Sequence, residues 1–233
     1  MLRQESPGGE SSPAGEQFRN CDAPKQAMIT SHLRYARTWV QSTRSKVDQL
    51  MNGGTSRRRQ VAIVTAYLMN FDPVNLSDRP AQPEAQRQML RRVLTNIIRI
   101  RSDLDRIENG LTRAMTYVCT SRCESPVLAE VEGNTVETDD GLVLEIPVVR
   151  NEVRICNPQW FRCPNFFKRV TTLIHEIVHS DLTYSGDIYE WSSGYFNMGW
   201  GTAQRNADSY AVFIRQVYHG GSRGPGMTCR AET

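Results

Sequence analysis

The chain has 233 residues, 39% hydrophobic and 23% charged, with a formal net charge of +3. This is enough for one sizeable core in a globular protein. The small charge gives no reason to expect nucleic acid, and no run of about 18 apolar residues is present to span a membrane. The opening stretch, MLRQESPGGESSPAGEQ, lacks the apolar segment of a signal peptide. Its Ser, Pro, Gly and Glu content predicts a disordered tail over residues 1–20.

A helix is predicted over 27–51, where Met28, Leu33, Ala36, Val40, Val47 and Leu50 keep a helical period until Asn52-Gly53-Gly54 ends it. A second helix is predicted over 57–70, carrying Val61, Val64, Ala66 and Leu68. Its first residues, Arg57-Arg58-Arg59, read as a solvated helix start. The proline-bearing stretch FDPVNLSDRPAQP reads as a loop. A long helix is predicted over 84–117, with Met89, Val93, Ile97, Ile100, Leu104, Ile107 and Leu111 as its apolar stripe.

From Cys119 the pattern changes. LAEVEG, GLVLEIPVVR and EVRIC read as short strands, with turn signals at Gly133-Asn134 and Asp139-Asp140-Gly141. Helices are predicted again over 165–181 and 202–217, before a loop-like tail that Cys229 would staple back. The order predicts an α+β chain, mainly helical: helices over 21–118, then a small sheet and two more helices over 119–233.

Cys21, Cys119, Cys123, Cys156, Cys163 and Cys229 are even in number, and none forms a Cys-x-x-Cys pair. That spacing suits a four-thiolate metal site poorly and favours three disulfides, hence an oxidising compartment. Spacing does not choose among the possible pairings.

The stretch TTLIHEIVHSD carries the most chemistry. On a helix, His175 and His179 share a face and can offer two imidazole nitrogens to one metal ion. Glu176 sits about 100° around the helix, where a carboxylate can take a proton from a metal-bound water. Val170, Leu173, Ile174, Ile177 and Val178 should bury this helix, and buried polar groups need partners. The bland alternative is two histidines bonded to carbonyls. A catalytic zinc also needs a third protein ligand and an open position. Candidates are Glu190, Asp187 after the Ser185-Gly186 turn, and the more distant His219; Asp181 would point off the ligand face.

Here the sequence resembles the aspzincin peptidases, the deuterolysin-like family related to peptidyl-lysine metalloendopeptidases. That family takes an aspartate after a glycine-containing turn as third zinc ligand, and later carries an Asn-Ala-Asp-x-Tyr-Ala motif. In this chain the motif is Asn206-Ala207-Asp208-Ser209-Tyr210-Ala211, and 208 − 187 = 21 positions separate the two aspartates, similar to deuterolysins. The segments NCDAPKQAMITSHLRYA, YVCTSRCESPVLAEV and VRICNPQWFRCPNFFKRVTTLIHE also look like the family's, so the likeness runs loosely over residues 20–229.

The resemblance implies a zincin-like fold with a small antiparallel sheet and an active-site helix, and a single catalytic domain over residues 21–233. It implies one Zn²⁺ per chain on His175, His179 and Asp187, with Glu176 as general base. It further implies the pairs Cys21–Cys119, Cys123–Cys156 and Cys163–Cys229. The expected protein is a secreted, monomeric endopeptidase acting on protein or peptide substrates.

Four departures matter. The family's Gly-Thr-x-Asp is reduced here to Ser185-Gly186-Asp187, and the His179-to-Asp187 loop is short, 187 − 179 = 8 positions. The family's oxyanion-donating tyrosine sits three residues after the aspartate, where this chain has Glu190, so Tyr189 and Tyr195 are the candidates. The lysine-specific branch pairs the motif aspartate with a glutamate three residues on; here Asp208 is followed by Ala211. This predicts broader specificity with some preference for basic residues at Asp208. Trp191, Tyr195, Phe196 and Trp200 could line the cleft or merely bury the loop. Two other readings compete: a secreted effector or binding module with weak or no catalysis, and a disulfide-stapled helical protein that binds no metal.

Overall fold

The computed structural model describes residues 16–72, 83–123, 127–131, 134–137, 143–146, 151–182, 188–220 and Cys229. The chain is α+β and mainly helical, as the sequence pattern predicts. Helix α1 spans Ala23–Met51, α2 Arg57–Phe71 and α3 Pro83–Thr112. Strand β1, Gln17–Arg19, precedes them, and β2, Thr116–Thr120, follows. Then come β3 (Ala129–Glu130), the hairpin β4 (Asn134–Glu137) and β5 (Val143–Ile146), and β6 (Glu152–Cys156). The short α4, Gln159–Arg162, leads into α5, Phe166–Leu182; α6, Trp200–Ala203, and α7, Ala207–Tyr218, complete the fold.

The predicted stripes form the core. Leu33, Ala36, Val40 and Val47 of α1 and Val93, Ile97, Ile100, Leu104, Ile107 and Leu111 of α3 are all buried. Helix α1 packs on α3, α5 and α7, and α5 packs on α3 and α7 as well. Helix α1 starts earlier than its stripe indicates because the Asp22 side chain accepts from the Lys25 backbone N–H at 3.0 Å, an N-cap with Pro24 in the first turn. At Gly110 a Cβ would stand 2.1 Å from Asp181 Oδ2 and 2.8 Å from Ile177 Cγ2. A side chain there would push α3 away from α5, so this glycine sets how closely the two approach.

Four expectations are corrected. The long helix ends at Thr112, and Tyr117 belongs to β2. Met115 keeps the helical register after Leu111 and is also buried, so periodicity runs straight through the break. The alternation of Thr116, Tyr117, Val118, Cys119 and Thr120, with Tyr117 and Cys119 inward, suits a strand better. The four-stranded sheet, ordered β1-β2-β6-β3, is mixed rather than antiparallel: β1, β2 and β6 run parallel, and only β3 opposes β6. Parallel neighbours need a long crossover, here the stretch holding β3 and the separate β4–β5 hairpin. The tail assigned to residues 1–20 yields Gln17–Arg19 to the sheet edge. Finally, the helix predicted over 202–217 is two helices, broken where Asn206 adopts an extended backbone (φ −102°, ψ 119°). The predicted loop at 73–82 and the turn at Asp139-Asp140-Gly141 lie outside the described residues.

Three disulfides join Cys21 to Cys119, Cys123 to Cys156 and Cys163 to Cys229. These are the pairs the family resemblance implies. They tie the start of α1 to β2, the end of β2 to β6, and the α4–α5 junction to the C-terminal segment. Among the described residues, no helix is long and apolar enough to cross a membrane.

Candidate functional site: the histidine pair of helix α5

Helix α5 is buried on nearly every side, between α1, α3 and α7. Its apolar residues Val170, Leu173, Ile174, Ile177 and Val178 are at most 1% exposed. His175 and Glu176 are carried into this environment at 6% and 5% exposure. Such polar groups need partners to offset lost hydration.

The two imidazoles converge. His175 Nε2 and His179 Nε2 are 3.0 Å apart, with the rings edge to face. Two nitrogens on one tetrahedral zinc, each about 2.05 Å from it, lie about 3.3 Å apart. The pair is therefore spaced as two donors to one ion would be, with little rearrangement needed. The other nitrogen of His175, Nδ1, faces Asp208 Oδ1 at 3.4 Å. A carboxylate on that side favours Nδ1–H, the tautomer in which Nε2 is the nitrogen that can donate to a metal. These residues fit as two of the three protein donors of a zinc site. Among the described residues, no group of three or more His, Cys, Asp or Glu side chains is placed to hold a metal. Asp187, the third donor expected from the resemblance, lies outside the described residues.

The other third-ligand candidates are engaged elsewhere. Glu190 is held by both terminal nitrogens of Arg215, at 3.0 and 2.8 Å. Asp181, which its sequence position sets off the ligand face, pairs with Arg113 just past the end of α3, and burial lifts its carboxyl to about 6. The His219 ring packs among Trp39, Phe167 and Tyr218.

The Asn-Ala-Asp motif acts as a clamp on the chain beside the histidines. Asn206 is fully buried; its side chain accepts from Ile188 N–H at 2.9 Å and donates to Ile188 C=O at 2.8 Å. Asp208 Oδ2 accepts from Glu190 N–H at 2.6 Å. Between these anchors, Tyr189 stacks on His175, with ring centroids 5.7 Å apart and planes 13° from parallel. The extended backbone at Asn206, which splits the predicted helix, is what turns its amide toward Ile188.

The aromatic candidates separate clearly. Tyr189 lies on His175, and Trp191 stacks in turn on Tyr189 at 4.5 Å and 6°. Tyr195 is 1% exposed, and its hydroxyl donates to Asn70 Oδ1 at 2.7 Å. Burial pushes that hydroxyl well above the usual tyrosine range, and the nearby Asp208 adds to the shift. Trp200 packs against Tyr67 and Phe71 of α2, a core role rather than a place beside the histidines. Phe196 packs edge-on to Tyr195.

Sequence reasoning passed over Lys168, Arg215 and Asn70. Lys168 was legible, since it precedes His175 by seven residues, near two helical turns on the same face. Arg215 and Asn70 gave no signal, because their partners, Glu190 and Tyr195, lie 25 and 125 residues away.

Compared with protein-family models and with curated proteins, the sequence matches none.

Proposed function

We propose that the chain is a zinc-dependent endopeptidase of the aspzincin type, acting on protein substrates in an oxidising, extracellular setting. One observation carries the reading: the Nε2 atoms of His175 and His179 converge to 3.0 Å beside a buried glutamate, with Asp208 behind His175. The three disulfides support the oxidising setting.

In this reading His175, His179 and Asp187 hold the metal. Asp187 directly precedes Ile188 and Tyr189, the residues that the Asn-Ala-Asp motif and the His175 ring hold at the site. Bound zinc would supply a Lewis-acidic centre that acidifies water and polarises the scissile carbonyl. Glu176 accepts the proton of the attacking water and delivers it to the leaving amine. Asp208 fixes the tautomer and orientation of His175. Tyr189 is the tyrosine best placed to serve the developing oxyanion, since the Tyr195 hydroxyl is committed to Asn70. Casein cleavage that a chelator abolishes and zinc restores is the expected result. Full cleavage in the presence of chelator would overturn the reading.

A further inference from the structure

Asp208 is not available to receive a basic substrate side chain. Its Oδ2 accepts from Glu190 N–H at 2.6 Å and its Oδ1 faces His175 Nδ1 at 3.4 Å. Glu190, two residues past Ile188, is forked by Arg215, which is 3% exposed. Asp208 and Glu190 are therefore both matched within the protein.

The group at the end of the aromatic stack is instead a cation. Lys168 Nζ stands 4.1 Å from the centroid of the Trp191 ring. Trp191 is 60% exposed, and it continues the stack that begins at His175 and passes through Tyr189. The order from the histidine pair outward is His175, Tyr189, Trp191, Lys168. The aromatic face holds the ammonium in place while leaving its N–H donors for another group. Burial and Arg215 lower the Lys168 pKa from its ordinary value; Asp208, Glu190 and Glu176 pull the other way. A partly desolvated ammonium gains more from a carboxylate than a fully hydrated one does.

We infer that Lys168, seated on Trp191, is a specificity-determining residue that binds the carboxylate of an aspartate or glutamate side chain next to the scissile bond. The inference rests on the peptidase reading. It reverses the preference for basic residues that Asp208 suggests from sequence alone. A substrate lysine at this position would meet a fixed like charge, which opposes binding.

The test uses the full, zinc-loaded chain and its Lys168→Met and Lys168→Glu variants. The probes are amidated peptides with Glu, Gln or Lys on either side of the scissile bond, and a Gln peptide with a free C-terminus. Binding is followed by anisotropy of a labelled peptide and cleavage by mass spectrometry. Wild type is expected to bind and cleave the Glu peptide about tenfold better than the Lys peptide, the scale of one charge-assisted hydrogen bond. Lys168→Met should level the series while still cleaving the Gln peptide, and Lys168→Glu should invert it. Cleavage with no Glu preference in wild type, or a preference unchanged in Lys168→Met, overturns the inference and spares the peptidase reading. A Glu preference in binding that Lys168→Met removes, without cleavage of any peptide, sinks the peptidase reading and leaves the carboxylate site. Tighter binding of only the free-C-terminus peptide would assign Lys168 to a terminal carboxylate and overturn the side-chain assignment.

Discussion

Helix α5 meets histidines near both of its ends, and the two environments differ in what the ring nitrogens face. Near its N-terminal end, His32 of α1 has Nδ1 at 2.8 Å from the Met28 carbonyl, and its Nε2 accepts from Arg169 Nε–H at 3.0 Å. Trp160 and Phe166 enclose the ring. Both nitrogens are used within the fold, and the residue is a packing element. Toward the other end, His175 and His179 turn Nε2 toward one another, and a carboxylate stands behind one of them. Burial is nearly the same, 5% for His32 and 6% for His175. Burial therefore does not separate a structural histidine from a candidate ligand, but the direction of the second nitrogen does.

The comparison breaks most visibly at the chemistry. Glu176→Gln should lower kcat on casein by about 10²- to 10⁴-fold while the protein still binds zinc, because only proton transfer is removed. His32→Gln should leave kcat unchanged. Equal losses in both would show that the histidine pair has no special role.

Zinc binding gives the next effect. At zinc near 100 times its Kd, binding should stabilise wild type by about 2.7 kcal/mol, and that increment should vanish in His179→Ala. His32→Ala should keep the increment and lower the baseline stability by about 1–3 kcal/mol, since the Arg169 Nε–H loses its acceptor. Thermal denaturation with and without zinc measures both. Asp208→Asn sharpens the contrast further: removing the carboxylate behind His175 should weaken zinc binding by about 10- to 100-fold. An unchanged affinity would reduce Asp208 to its bond with Glu190 N–H.

The smallest effect is one of pH. Burial and Arg169 hold the His32 pKa below its ordinary 6.5, and the bond to Met28 opposes them only in part. As pH falls below 6.5, the unfolded chain binds a proton that the folded chain refuses, so stability drops in that direction. Wild type should therefore lose more thermal stability than His32→Gln between about pH 7 and pH 5. Parallel curves would contradict this.

What could be read from the sequence follows from locality. The α1 and α3 stripes repeat every three or four residues, so they announce helices and core together. The His175-Glu176 and His179 spacing is equally local. The end of α3 was hidden because Met115 stays in helical register beyond Thr112. The parallel sheet was hidden because alternation marks a strand but not its direction. The partners of Asp208 were hidden for a related reason: His175 and Glu190 are 33 and 18 positions away (208 − 175 and 208 − 190), and only folding shows which groups its two oxygens face. The cysteine pairs became legible only through the family resemblance, since spacing does not rank them.

The central claim is that His175 and His179 form a metal site, and the most direct measurement is the zinc content of the purified chain. Wild type equilibrated with zinc and then desalted should retain about one zinc per chain, and His175→Ala and His179→Ala should retain none. If wild type keeps no zinc, the 3.0 Å approach of the two rings is a hydrogen bond within a packed helix, and the account fails at its first step.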